Sequence, residues 1–113
     1  MRAEALKGHL DALLLATLAD GPRHGYAIKE ALRVDSGGEF DLPTGTVYPA
    51  LHRLERGGLI GSSWSVVAGR KRRSYELTDA GRRALDTGRA DWRQFALAVT
   101  GVLEGRACPA PTG

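Results

Sequence analysis

Apolar residues recur along the chain with two different periods. Leu6, Leu10, Leu13, Leu14 and Leu18 fall three and four apart, the spacing of one helical face, with Thr17 the one polar residue in the run Ala12 to Ala19. Asp20-Gly21-Pro22 ends this first predicted helix, because glycine suits a left-handed cap and proline cannot continue a helix. Tyr26, Ala27, Ile28, Ala31 and Leu32 predict a second helix that stops near Ser36-Gly37-Gly38. Glu39-Phe40-Asp41-Leu42 alternates polar with apolar and predicts a short strand before Pro43.

A third helix is expected over Gly45 to Arg56, capped by Thr44 and burying Val47, Ala50, Leu51 and Leu54. Pro49 is tolerable there if the regular helix begins near Thr46, and Gly57-Gly58 end it. Strand formers then occupy Leu59 to Val67 and Arg72 to Leu77 around a turn at Ala68-Gly69, the pattern of a hairpin. The last helix opens at Thr78 or Asp79. Its apolar positions Leu85, Trp92 and Val99 are seven apart, with Phe95 and Val102 offset by three, which predicts a coiled-coil-like seam. Gly88 weakens that helix by about 1 kcal/mol relative to alanine. The segment GRACPAPTG after Glu104 has little to pack and reads as a disordered tail, 105–113.

The chain has 113 residues, one domain's worth, with 42% hydrophobic and 26% charged residues, an ordinary globular balance. Net charge is only +3, but it is unevenly placed. Between Thr44 and Tyr75 lie Arg53, Arg56, Arg70, Lys71, Arg72 and Arg73, opposed by Glu55 alone, so this stretch carries +5 and the remainder −2. Such concentration favours a polyanionic partner such as nucleic acid. One cysteine, Cys108, makes neither an internal disulfide nor a multi-cysteine zinc site. The densest apolar run, Ala12 to Ala19, is far short of the roughly 20 residues of a membrane span. No signal peptide is legible, so the expected location is cytoplasmic, away from any membrane.

Enzyme signatures are missing. His9, His24 and His52 lie far apart, and no nucleophile elbow, phosphate-cradling loop or dinucleotide fingerprint occurs, so no catalytic residue, metal or cofactor is expected. Helices two and three instead suit a helix-turn-helix. The third helix offers Thr46, Tyr48, His52, Arg53 and Arg56 opposite its apolar face, able to donate to phosphates or read base edges. Arg70-Lys71-Arg72-Arg73 places four cations in and beside the hairpin turn, where mutual repulsion is costly unless a polyanion relieves it. Together they resemble a reading helix followed by a wing. The expected fold is mainly α with a small β-hairpin: a winged helix-turn-helix over 1–77 and a long dimerisation helix over 78–104.

Three stretches carry a family resemblance: LLLATLADGPRHGYAIKEAL at 13–32, LPTGTVYPALHRLERGGLI at 42–60 and GRKRRSYELTDAGRRAL at 69–85. In these the sequence resembles the PadR family of bacterial transcription regulators, in its short form with one C-terminal helix, over roughly residues 6–103. The resemblance implies a homodimeric, effector-responsive DNA-binding protein, usually a repressor acting on an inverted-repeat operator. It implies DNA contacts from Thr46, Tyr48, Pro49, His52 and Arg53, and phosphate contacts from His24 and Tyr26 of the HGY element. Packing in the core is the rival reading for Tyr26 and Tyr48. Lys71 stands where the family often has proline near the wing tip. The final helix, assisted by the first, would hold the dimer through Leu6, Leu10, Leu85, Trp92, Phe95, Val99 and Val102. A flat aromatic effector could stack on Trp92 and Phe95, with Gly88, Asp91 and Ala96 leaving room and Asp91 favouring a cation; the rival reading is that these aromatics simply close the dimer interface. The alternative is a winged-helix protein-interaction module; the arginines on both reading helix and wing argue against it.

Overall fold

Leucines from three short helices meet a small sheet and the first turns of a long helix, and this junction organises the chain. The structure, a computed structural model, describes residue 6 and residues 8–105. In order, the elements are α1 (Leu10–Ala16), β1 (Arg23–His24), α2 (Gly25–Asp35), α3 (Thr44–Arg56), β2 (Ile60–Val67), β3 (Arg70–Leu77) and α4 (Asp79–Leu103). Leu14, Leu15 and Leu18 pack with Ile28 and Leu32 of α2, Val47, Leu51 and Leu54 of α3, Ile60 and Tyr75 of the sheet, and Leu85 of α4. The fold is the expected one, a winged helix with a long C-terminal helix. The tail expectation falls, from residue 106 onward, outside the described residues.

The hairpin pairs from Ile60↔Leu77 to Val67↔Arg70, around a two-residue turn at Ala68 and Gly69. Both turn residues have positive φ, 51° and 76°, as in the mirror-image turns that match the twist of hairpin strands. Arg70 therefore lies in β3 and not in the turn, two residues earlier than the sequence suggests. The sheet has a third member: β1 pairs antiparallel with β3 through Arg23↔Tyr75 and His24↔Ser74, giving the order β1-β3-β2. A two-residue strand has no period to read, so the sequence gives no sign of it.

Three other local expectations need correction. The strand expected at Glu39–Leu42 does not form. Leu42 is buried and Phe40 packs on the core, so the alternation is real, but the segment has no strand partner. α1 spans seven residues only, because Gly8 at φ 91° separates Leu6 from it and Thr17 closes it by donating to the Leu14 carbonyl at 2.6 Å. α3 begins at Thr44, with Pro43 and not Thr44 as its N-cap; Pro43's carbonyl accepts from Thr46 and Val47. Pro49 thus sits inside the helix and cannot donate to the Gly45 carbonyl one turn back.

α4 opens as expected. Thr78 caps it, its hydroxyl oxygen accepting from the Gly81 N–H at 3.0 Å. The same hydroxyl donates to the Gly58 carbonyl at 2.7 Å, and the Thr78 N–H donates to the Leu59 carbonyl. Gly81 lies so close that an added Cβ would stand 1.9 Å from the Leu59 oxygen. Gly88 has a similar purpose: a Cβ there would meet the Ala12 Cβ at 3.0 Å, so its helix-weakening cost is offset by close approach of α1 and α4.

Replacing Gly81 by alanine forces backbone against backbone, which neither side can relieve by a rotamer change. The expected loss is about 3 kcal/mol, measured by urea denaturation, at the upper end of what overpacking costs. A loss below about 1 kcal/mol, within the range of ordinary surface changes, would show that the contact is not tight.

Candidate nucleic-acid interface

α3 turns Val47, Ala50, Leu51 and Leu54 inward, as the 3.6-residue period requires. Thr44, Pro49, His52, Arg53 and Arg56 are left exposed on its other side, with Thr46 half-buried. These residues, the expected reading face, therefore share one surface. Arg53 is committed there to a partner: its guanidinium pairs with the Asp11 carboxylate on α1. Nothing in the spacing of positions 11 and 53 signals that contact.

Tyr48 divides between the two readings. Its ring packs on the core at half burial. It also covers Gly25 at the start of α2, where an added Cβ would lie 2.5 Å from the ring and 2.8 Å from the hydroxyl. The glycine of the HGY element is thus the space into which the Tyr48 ring fits. Tyr26, by contrast, is exposed on α2 and off the core. His24 is half-buried, pairs with β3 and serves as the N-cap of α2; its Nδ1 is buried with no hydrogen-bond partner among the described residues.

Strand alternation splits the four wing cations. Arg70 and Arg72 lie on one face of the hairpin, across from Val67 and Ser65. Lys71 and Arg73 lie on the other, across from Val66 and Trp64 and in line with buried Tyr75 and Leu77. Arg70, Lys71 and Arg72 are exposed, and no acidic side chain among the described residues pairs with them. Arg73 differs. Its Nε donates to Ser62 Oγ at 2.9 Å, its guanidinium lies 3.5 Å from Glu55, and it stands 5.4 Å from the centre of the Trp64 ring. The four basic residues expected as one group are therefore three free cations and one engaged one.

The hydrogen bond from Ser62 holds the Glu55 carboxyl below the usual carboxylate range, against its partial burial and helped by the charge of Arg73. Because the folded value is the lowered one, the pairing is complete above the ordinary carboxylate range and is lost only as pH falls through the lowered value. At neutral pH it is fully formed. Burial pushes the nearby Tyr75 phenol up.

The sequence profile of the transcriptional regulator PadR-like family matches residues 14–87, which span both the α2–α3 pair and the wing. The chain belongs to the PadR-like family of transcriptional regulators. As a PadR-like regulator it is not an enzyme. It is 41% identical over 88 residues to the transcriptional regulator Rv3488 of Mycobacterium tuberculosis, covering 78% of this chain and 79% of that one. Its fold is similar to that of a PadR-like transcriptional regulator from Bacillus cereus, with a TM-score of 0.80 at 26% identity, over 92% of this chain and all of the other. A PadR family regulator from Eggerthella lenta is similar at 34% identity and a TM-score of 0.76, over 89% and 87% of the two chains.

On the far side of the PadR-like fold, α4 runs past the core. Beyond Asp91, among the described residues, only Ala96, Val99 and Gly101 are even half-buried. Trp92 and Phe95 are each 53% exposed and Val102 82%, an apolar surface that one protomer leaves uncovered. The His9 ring stands edge-on to Trp92 at 5.3 Å and 6.1 Å from Phe95, a neighbour the heptad pattern does not show. Two expectations change here. Leu6 and Leu85 are buried in the protomer's own core, and Leu10 packs against it, so Leu6 and Leu85 have no surface left for a partner. Gly88 abuts Ala12, so the space expected at that glycine is taken up by α1.

Gly25→Ala is expected to cost about 1 kcal/mol in urea denaturation, because the Tyr48 ring, 2.5 Å from the added Cβ, must swing aside by about 1 Å. In a Tyr48→Ala background the same substitution should cost nothing. Equal costs in both backgrounds would mean that the two residues do not touch.

Proposed function

We propose that this regulator binds double-stranded DNA as a homodimer, with α3 in the major groove and the wing along the adjacent backbone, and acts as a repressor at an inverted repeat. The observation that carries the reading is the distribution of free cations. Arg56 on α3 and Arg70, Lys71 and Arg72 on the wing are exposed, and no described acid pairs with them. A folded chain gains nothing by leaving like charges adjacent on one hairpin, and phosphates would neutralise them. Thr46, Pro49 and His52 then face the bases, with Tyr48 near the backbone from its seat on Gly25. His24 and Tyr26 at the start of α2 are placed for phosphate. Arg53 joins this set when phosphate competes with Asp11.

The dimer is held, in this reading, by Trp92, Phe95, Val99 and Val102 of α4 against the same residues of a second copy. Covering these side chains removes exposed apolar area that a lone protomer keeps in water. An aromatic effector would meet Trp92 and Phe95 at that seam, with Asp91 favouring a cationic one. It releases DNA only by binding the DNA-free geometry more tightly.

Two outcomes test the reading. Retention of a labelled duplex from the region upstream of the protein's own gene should fall steeply with salt. Arg70→Ala with Arg72→Ala should flatten the log–log salt slope by about 0.9 per phosphate contact removed. Retention indifferent to salt, or an unchanged slope, would sink it. For the seam, Val102→Asp should halve the mass seen in sedimentation equilibrium. A planar aromatic cation that quenches Trp92 should weaken DNA retention in parallel; quenching without release removes the effector from the mechanism.

A further inference from the structure

Glu55 is the one acid in a stretch otherwise chosen for positive charge, at the end of the helix that would lie against phosphates. An acid there costs DNA affinity unless it does something else. It accepts a hydrogen bond from Ser62 of β2 and lies 3.5 Å from the Arg73 guanidinium of β3. Arg73 Nε donates to the same Ser62 hydroxyl at 2.9 Å, which thereby links the two ions. Trp64, the cross-strand partner of Arg73, offers its ring to the guanidinium at 5.4 Å from centre to cation. One recognition-helix residue is thus tied to both strands of the wing.

The wing needs such a tie. β1 supports β3 only at Ser74 and Tyr75, so from Trp64↔Arg73 outward the hairpin is two-stranded. Its side chains there have no core to rest on: Trp64 is 64% and Val66 70% exposed. A two-stranded ribbon is marginal by itself. The chain entering it turns at Gly57-Gly58, with Gly58 at φ 78°, and Thr78 holds this turn at the hairpin's base, well short of its outer half.

We infer that Arg73 is a positioning residue and not a DNA contact: with Glu55 and Ser62 it forms a strut that fixes the angle of the wing to α3. Arg70, Lys71 and Arg72 then reach the backbone from a hairpin already aimed. The consequence for DNA rests on the binding reading above; the strut itself is a property of the free protein.

The two accounts of Glu55 predict opposite signs. If charge alone matters, Glu55→Gln removes a negative charge from each protomer and tightens DNA binding. If the strut matters, it weakens binding by about fivefold or more, the scale of coupling between residues in one ion-pair network. Arg73→Gln should weaken it similarly while leaving the salt slope unchanged, and the double variant should bind no worse than the weaker single one. In full-length protein without DNA, deuterium exchange of backbone amides over 64–73 should speed up in both variants, with α3 and the melting temperature unmoved. Ser62→Ala, which removes only a hydroxyl, gives the same readouts if Glu55→Gln fails to fold. Tighter binding by Glu55→Gln, a salt slope flattened by about 0.9 per protomer in Arg73→Gln, or unchanged exchange over 64–73 would each overturn the strut. If even the wild type retains no duplex, the DNA reading fails, and the exchange rates alone decide whether the strut exists.

Discussion

The architecture depends on the place where the first turn of α4 closes over the chain leaving α3. Thr78 caps α4 by accepting from Gly81 and holds the preceding turn by donating to Gly58, while its own N–H donates to Leu59. Gly81 permits this because any side chain would collide with the Leu59 oxygen. Four elements therefore have one end each at a single knot: the end of α3, the start of β2, the end of β3 and the start of α4. The wing's base and the long helix cannot move independently at that point. At this cap the Thr78 and Gly81 N–H groups both find partners within the protein, which suits a junction packed between α3 and α4.

Outside this knot, ion pairing sorts the basic residues by purpose. Arg53 pairs with Asp11, Arg73 with Glu55, Arg33 with Glu30 and Lys29 with Asp41. Most such pairs at the surface are worth little. Arg33 and Glu30, on one exposed helix face, are of that kind. Arg73 and Glu55 differ because Ser62 and Trp64 add directed contacts and because the pair bridges two elements. What remains unpaired among the described residues of the basic stretch is concentrated on the wing's outer half and on Arg56. A net charge counted from the sequence cannot make this division, since pairing depends on which acids the fold brings near.

Much of this is legible in the sequence. The helical faces, the hairpin, its turn and the Thr78 cap all follow from local chemistry: period, glycine and proline placement, a hydroxyl before a helix. The short α1 and the Pro43 cap turn on local bonds, but the other misses depend on partners distant in sequence. The alternation over Glu39–Leu42 reports burial correctly but not the absence of a neighbouring strand. Two residues of β1 carry no pattern until β3 is beside them. Gly25 reads as part of a motif, and only Tyr48 lying over it gives the glycine a reason. Arg73 looks like its three neighbours in sequence, and strand register alone sets it apart. Glu55 was the one visible clue, an isolated acid among cations, and its meaning required knowing that Ser62 and Arg73 face it.

The position of α1 joins the two ends of the molecule. Its N-cap, His9, sits against Trp92 and Phe95 of α4, and Asp11, two residues on, holds Arg53 of the reading helix. Gly88 lets the two helices approach until Ala12 touches α4, so a shift of α4 is passed to α1 with little slack. Close-packed elements of this kind transmit displacement because their contacts cannot stretch. A helix of seven residues, too short to be stable alone, is held chiefly by its buried Leu14 and Leu15, with His9 against the α4 aromatics and Asp11 on Arg53. α1 thus lies between the exposed seam of α4 and the Asp11–Arg53 pair on the reading helix, in contact with both.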